Sequence, residues 1–139
     1  MVKTPKLYFH DVGLACRLLG IQEEAQIRTH PLRGNLFENM VVADLLKTQI
    51  NQGADASMFF WRDRAWHEID LVLENGIHLE AMEIKSGETF ITSWLDNLNK
   101  WRSFAGNQKI STGICYGGNW SGVRSEVNIR PWHTLSKVF

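Results

Sequence analysis

The sequence EIDLVLENGIHLEAMEIKSG occupies residues 68–87, and its apolar residues alternate with polar ones on both sides of an Asn-Gly pair. An Asn-Gly pair between two alternating runs is typical of a β-hairpin with a two-residue turn. We therefore predict a strand over residues 67–74, a turn at Asn75 and Gly76, and a strand over residues 77–85. Apolar residues fall on both faces in the middle of this hairpin, which favours a central strand pair covered by helices.

The predicted turn fixes which side chains share one face of the hairpin. Asp70 then opposes Ala81. Glu68 opposes Glu83, and Lys85 lies further along the same face. Two like charges directly opposite each other destabilise a sheet by up to ~1 kcal/mol, and shelter from water raises that cost. A divalent cation would relieve the repulsion, because diagonal neighbours such as Asp70 and Glu83 lie roughly 7–8 Å apart between backbones. A ladder of surface salt bridges is the alternative interpretation.

Hydrophobic periodicity and turn residues predict the other elements. They are a strand at 6–9, a helix that begins after the N-cap Asp11 and ends at Gly20, a loop at 21–31, a helix at 34–50, a strand at 58–62, a helix at 93–105 with Ser93 as its N-cap, a strand at 110–116, a glycine-rich loop at 117–122 and a strand at 127–129. This order predicts an α/β (α+β) fold, with a mixed central sheet flanked by helices on both faces.

The charged motifs of this hairpin resemble those of a known superfamily. The sequence EIDLVL at 68–73, followed by EIKSG at 83–87, resembles the D…(D/E)XK core of the PD-(D/E)XK (restriction-endonuclease-like) superfamily, and GNLFEN at 34–39 resembles its first motif. More narrowly, the chain is similar to the C-terminal domain of unknown function of prokaryotic AAA-type ATPases. Three more blocks carry that similarity, namely KLYFHDVGL at 6–14, FWR at 60–62 and IRPW at 129–132.

The resemblance implies a fold, a cofactor and a set of site residues. Residues 1–139 would form a single nuclease-like domain, with residues 1–30 as a lead-in from an N-terminal ATPase part. Glu38, Asp70 and Glu83 would bind Mg²⁺ or Mn²⁺, and Lys85 would assist the attacking water. The proline that normally precedes the first aspartate is replaced by Ile69, a change that removes no ligand.

Basic residues outside this hairpin could contact a nucleic acid. The chain has fifteen basic and fifteen acidic residues, but residues 38–90 hold four basic and ten acidic ones, and the C-terminal third is basic. Arg62 and Arg64 flank the turn after the strand at 58–62, and Lys100 and Arg102 lie in the basic third. We predict that these four side chains contact phosphates, with a role as ordinary solvated surface residues as the alternative.

Several functional classes are excluded by the sequence. No apolar run approaches the ~20 residues of a membrane span, and the N-terminus differs from a signal peptide, so we expect a cytoplasmic protein. No G-x-x-x-x-G-K stretch occurs, so the chain has no P-loop for ATP. His67 and Glu68 begin like H-E-x-x-H, but Leu71 stands at the second histidine position, which excludes a zinc protease of that type.

Three functional hypotheses remain. Two come from different functional classes and are described next, and the third is that the chain is a plain structural fragment. The first is a metal-dependent phosphodiesterase that acts on nucleic acid. The second is a non-catalytic accessory domain that docks an AAA-type ATPase, on the same or a related chain, onto a partner or nucleic acid. The oligomeric state is open.

Overall fold

The computed structural model of the chain describes residues 5–55, 57–106 and 109–137. Within these residues six strands form one sheet in the order β1-β2-β3-β4-β6-β5. The strands are β1 Met58–Arg62, β2 Glu68–Asn75, β3 His78–Lys85, β4 Lys109–Tyr116, β5 Gly122–Arg124 and β6 Val127–Pro131. The helices are α1 Val12–Leu18, α2 Glu24–Thr29, α3 Arg33–Asn51 and α4 Asp96–Phe104, with 3-10 turns at Thr92–Leu95 and Trp132–Lys137.

The sheet is mixed, as predicted. Strands β1, β2 and β3 are antiparallel, β4 runs parallel to both β3 and β6, and β5 is antiparallel to β6. The predicted α/β architecture with helices against a mixed sheet is therefore confirmed. None of the helices in the described part of the chain is both long and apolar enough to cross a membrane.

Helices α3 and α4 cover opposite faces of the sheet. Neighbouring residues of β2 alternate between two cores: Leu71 packs with Val42 and Leu45 of α3, whereas Val72 packs with Leu98 and Trp101 of α4. All six side chains are buried. Burial on both faces explains why the hairpin is apolar on both sides.

The register of the hairpin differs from the prediction by two residues. Asn75 pairs with His78 and Val72 pairs with Ala81, so Asp70 does not oppose Ala81. The central turn residues are Gly76 and Ile77, and Gly76 has a φ of 61°. Glycine with positive φ at the first central position is typical of a type II′ turn, whereas the prediction placed Asn75 there.

Strand β2 also carries one residue more than β1 beside Asp70. Phe59 pairs with Val72 but Trp61 pairs with Ile69, so three steps along β2 match two along β1. Such a bulge redirects a side chain and often lies next to an active site. The Ile84 N–H accordingly donates to Asp70 Oδ2 at 2.8 Å.

Four other predicted elements differ from the structure. Residues 6–9 form no strand. Residues 24–29 form a helix instead of a loop, because Glu23 and Gln26 make a capping box. The predicted helix at 93–105 is a 3-10 turn followed by α4, and Ser93 is not its N-cap. Strand β5 begins at Gly122, within the predicted loop at 117–122.

The predictions for the first and third helices are confirmed. Asp11 accepts hydrogen bonds from the Gly13 and Leu14 N–H groups at 2.8 and 3.2 Å, as an N-cap does. Helix α3 covers the predicted 34–50 with one further residue at each end.

Candidate active site

Asp70, Glu83 and Lys85 lie together at one end of the hairpin. The Lys85 ammonium contacts Glu83 Oε2 and lies 3.4 Å from Asp70 Oδ2. The predicted pair of Glu68 opposite Glu83 is wrong, because the shifted register brings Asp70 beside Glu83 instead. The shift by two residues leaves each side chain of β3 on its predicted face.

Glu83 is the most deeply buried acid of this group, with a side chain only 1% exposed. Burial and the nearby charge of Asp70 raise its pKa to about 7, although Lys85 and Asn97 act in the opposite direction. Asn97, on α4, donates to Glu83 Oε1 at 3.4 Å. A buried carboxyl with such a pKa can hold a proton at neutral pH or release it when positive charge arrives.

Lys85 is a firmly held cation in this arrangement. Burial lowers its pKa, but the charges of Asp70 and Glu83 raise the pKa by more, so the net shift is upward. The ammonium form therefore persists at neutral pH. In that form Lys85 can donate hydrogen bonds and neutralise negative charge, but it cannot accept a proton.

A second ammonium group, that of Lys6, lies on the other side of Asp70. Lys6 Nζ lies 2.9 Å from Glu38 Oε1 and 3.8 Å from Asp70 Oδ1, and it also contacts Glu68 Oε1. One cation thus serves acids from α3 and from β2. Burial lowers the pKa of Lys6, but its hydrogen bonds to Glu68 and Glu38 raise the pKa by more, and the net shift is upward.

Tyr8 and Arg62 complete the surroundings of these acids. The Tyr8 hydroxyl donates to Glu38 Oε1 at 2.5 Å. Burial and this bond raise the pKa of Tyr8, which keeps the phenol protonated. Arg62 Nε donates to Glu68 Oε2 at 2.5 Å. Burial raises the pKa of Glu68, but the bonds from Lys6 and Arg62 outweigh it and lower the pKa.

Asp70 is the junction of the whole group. Its Oδ1 faces Lys6, and its Oδ2 faces Lys85 and the Ile84 N–H. Glu38 therefore joins Asp70 through one ammonium, and Glu83 joins it through the other. We call Glu38, Glu68, Asp70 and Glu83 the carboxylate cluster.

Two cavities flank Glu38. One has a volume of about 410 Å³ and is lined by Glu38, Asp70 and Lys85, together with Ser86 and Trp94. The other has a volume of about 540 Å³ and is lined by Lys6, Tyr8, Glu38, Arg62 and Glu68, and by apolar residues of α1 and α3. The first cavity gives a ligand access to Asp70 and Lys85.

The carboxylate cluster has the donor chemistry of a magnesium site, since Mg²⁺ and Mn²⁺ prefer carboxylate oxygens. Its acids are nevertheless arranged around ammonium groups. Among residues 5–55, 57–106 and 109–137, no three or more His, Cys, Asp or Glu side chains are grouped so that they could hold a metal ion as they stand. A divalent cation would have to take the position of an ammonium group.

The four predicted phosphate-contacting residues are dispersed. Arg62 is paired with Glu68 and stacks over Trp66 at 5.4 Å. Arg64 is exposed in the β1–β2 turn. Lys100 contacts His67 Nε2 at 2.6 Å, and Arg102 donates to the carbonyl oxygens of Ser125 and Glu126 at 3.2 and 2.7 Å. The side chains of Lys100 and Arg102 thus connect α4 to neighbouring turns.

Sequence reasoning assigned no role to Lys6, Tyr8 or Asn97. Lys6 and Tyr8 lie two residues apart in the block KLYFHDVGL, a spacing that places both side chains on one side of an extended segment. That spacing was the available signal for the first two residues. Asn97 carried none, because its contact depends on how α4 packs against β3.

Comparison with known proteins places the chain in a family without an assigned activity. A family model described as a domain of unknown function (DUF4143) matches residues 33–133. Two uncharacterized mycobacterial proteins, Rv2008c of Mycobacterium tuberculosis and Mb2031c of Mycobacterium bovis, are each 31% identical to the chain over 87 residues. The match covers 63% of this chain and 19% of each relative, so the chain matches about a fifth of their length. No solved structure shows a significant match.

Proposed function

The chain belongs to the DUF4143 family, and we propose that it is a metal-dependent nuclease domain that hydrolyses nucleic-acid phosphodiesters with Mg²⁺ or Mn²⁺. One observation carries the proposal: Asp70 lies between two ammonium groups, one shared with Glu38 and the other with Glu83. Acids from α3, β2 and β3 are thus gathered around positive charge. The resemblance to the PD-(D/E)XK superfamily supports the proposal, because it gives these same acids the role of metal ligands.

In the proposed mechanism Glu38, Asp70 and Glu83 would hold the cation, and that cation would supply a more acidic water and offset charge on the phosphate. Glu83 releases its proton before it can act as a ligand, and its pKa of about 7 makes that release easy at neutral pH. Lys85 donates hydrogen bonds to the water or to the phosphate oxygens, where its charge stabilises the transition state.

A cleavage assay tests this proposal. The wild-type protein is incubated with single- and double-stranded DNA and RNA in Mn²⁺, beside the variant Asp70→Asn. We expect Mn²⁺-dependent cleavage that falls at least about 100-fold in the variant, because a metal-activated reaction loses several kcal/mol of stabilisation with its ligand. Asp44→Asn, an exposed acid on α3, is the matched control. Cleavage by Asp70→Asn at the wild-type rate would contradict the proposal.

A second candidate function is a non-catalytic accessory domain that docks an AAA-type ATPase onto a partner or nucleic acid. The observation that favours it is the neutralisation of the carboxylate cluster by Lys6, Arg62 and Lys85, an arrangement in which the acids need no metal. The greater length of the mycobacterial relatives is consistent with further domains. A protein that binds no Mn²⁺ in calorimetry and cleaves no nucleic acid would favour this function.

A further inference from the structure

We propose that Lys6 is a built-in counter-ion that closes the carboxylate cluster, and that a divalent cation must displace its ammonium group to bind. The inference rests on the proposed function, since it describes how the same site is regulated. Its consequence is that residues 5–8 act as a gate over the site.

The first step of the argument is the competition for oxygen atoms. The Lys6 ammonium contacts Glu38 and Glu68 and lies 3.8 Å from Asp70. Glu38 and Asp70 are two of the three proposed ligands, and both turn an oxygen toward it. An ammonium group and a divalent cation seek the same oxygens and repel each other at this distance. The Lys6 ammonium group and a divalent cation therefore cannot occupy the carboxylate cluster at the same time.

The second step is charge balance. Glu38, Asp70 and Glu68 face Lys6 from two different elements. Among the residues that the structure describes, only Glu68 has a second cation, Arg62, against it on this side. The Lys6 side chain is 19% exposed, so its charge is only partly screened by water. Removal of that charge without replacement leaves the acids in repulsion, and a divalent cation is the replacement that restores balance.

The third step is how the gate is attached. Residues 5–9 belong to no helix or strand. Lys6 and Tyr8 are held through Glu38, whereas Phe9 is held through its backbone, because its N–H donates to Asn39 Oδ1 at 2.6 Å and its carbonyl accepts from Asn39 Nδ2 at 2.7 Å. Asn39 is 6% exposed. Phe9 is thus a fixed point, and Lys6 can leave the cluster without breaking any hydrogen bond of the sheet.

Manganese binding to purified protein tests the gate. Binding is measured by calorimetry for wild type, Lys6→Met, Lys6→Arg and the control Lys47→Met, which removes an exposed lysine of α3. Met keeps most of the length of the lysine side chain without its charge, and Arg keeps the charge. We expect Lys6→Met to bind Mn²⁺ about tenfold more tightly than wild type, and Lys6→Arg and Lys47→Met to bind as wild type does.

The outcomes separate the gate from the function on which it rests. Equal Mn²⁺ affinity in wild type and Lys6→Met, or weaker binding by Lys6→Met, overturns the gate and leaves the metal-dependent function standing. No Mn²⁺ binding by any of the four proteins overturns both.

Discussion

Asp70 connects the two halves of the site because each of its carboxylate oxygens faces a different ammonium group. This position follows from two local features, the shifted hairpin register and the extra residue of β2 beside it. Neither can be seen in the charge pattern. Asp70, Glu83 and Lys85 could be chosen from the sequence because they alternate with apolar residues along two predicted strands. Glu38 was named only through the resemblance of the block at 34–39 to a known motif. Lys6 could not be chosen, because its partner Glu38 is 32 residues away.

The raised pKa of Glu83 predicts how stability depends on pH without metal. Its pKa is about 7 in the folded protein, against an ordinary value of 4.5 for a glutamate, so the folded state binds the proton more tightly. The contribution of Glu83 to the free energy of unfolding is therefore greatest below pH 4.5. It falls as the pH rises to about 7 and is constant above that pH. The loss over this range should be about 3 kcal/mol, since the two pKa values differ by about 2.5 units and one unit corresponds to about 1.4 kcal/mol.

Urea denaturation of wild type and Glu83→Gln at pH 5 and pH 8 measures this effect. Gln cannot titrate, so wild type should lose more stability than the variant between the two pH values. The comparison cancels the contributions of other acids, including Glu68, whose lowered pKa acts at lower pH. The same pH dependence in both proteins would show that Glu83 is ionised in the folded state throughout.

At the scale of elements, strand positions were easier to predict than their pairing. The alternation of apolar residues located β1 and β3 closely, and the Asn-Gly pair located the turn. The register depended on whether Asn75 or Gly76 takes the first central position, and Gly76 takes it. Residues 6–9 have the alternation of a strand but bind α3 through Glu38 and Asn39 instead of a sheet edge, a tertiary preference that periodicity does not contain.

The attachment of residues 5–9 to α3 should depend on Asn39. Asn39→Ala removes two hydrogen bonds to Phe9 and leaves both of its backbone groups without these partners, which should cost about 1–3 kcal/mol of unfolding free energy. Urea denaturation gives the cost, with Asn51→Ala, an exposed asparagine at the end of α3, as the control. Equal stability of the two variants would mean that water replaces Asn39 at no cost.

At the scale of the molecule, the net formal charge is zero, but the acidic residues are concentrated in residues 38–90 and the C-terminal third is basic. The proposed function brings a substrate phosphate next to the acids of the carboxylate cluster, so we expect a divalent cation to improve its binding. Arg62, Lys100 and Arg102 are engaged with protein groups, whereas Arg64 is exposed in the β1–β2 turn. The sequence pointed to Arg62 and Arg64 beside a turn and to Lys100 and Arg102 in the basic C-terminal third, but it could not show which of them the fold itself uses.

Nucleic-acid binding should therefore be weak, strongly dependent on salt and improved by Ca²⁺, a divalent ion expected to fill the site without supporting cleavage. Arg64→Glu should weaken binding to every sequence and reduce the slope of log affinity against log salt by about one, because one phosphate contact is lost. Its Mn²⁺ affinity should equal that of wild type, since Arg64 contacts none of the acids in the cluster among the ion pairs of the described residues. Fluorescence anisotropy with labelled single- and double-stranded DNA and RNA measures the nucleic-acid affinity and its dependence on salt and Ca²⁺, and calorimetry measures the Mn²⁺ affinity. If no nucleic acid binds at low salt with Ca²⁺ present, the nuclease loses its substrate, and docking of an ATPase becomes the better account of the domain.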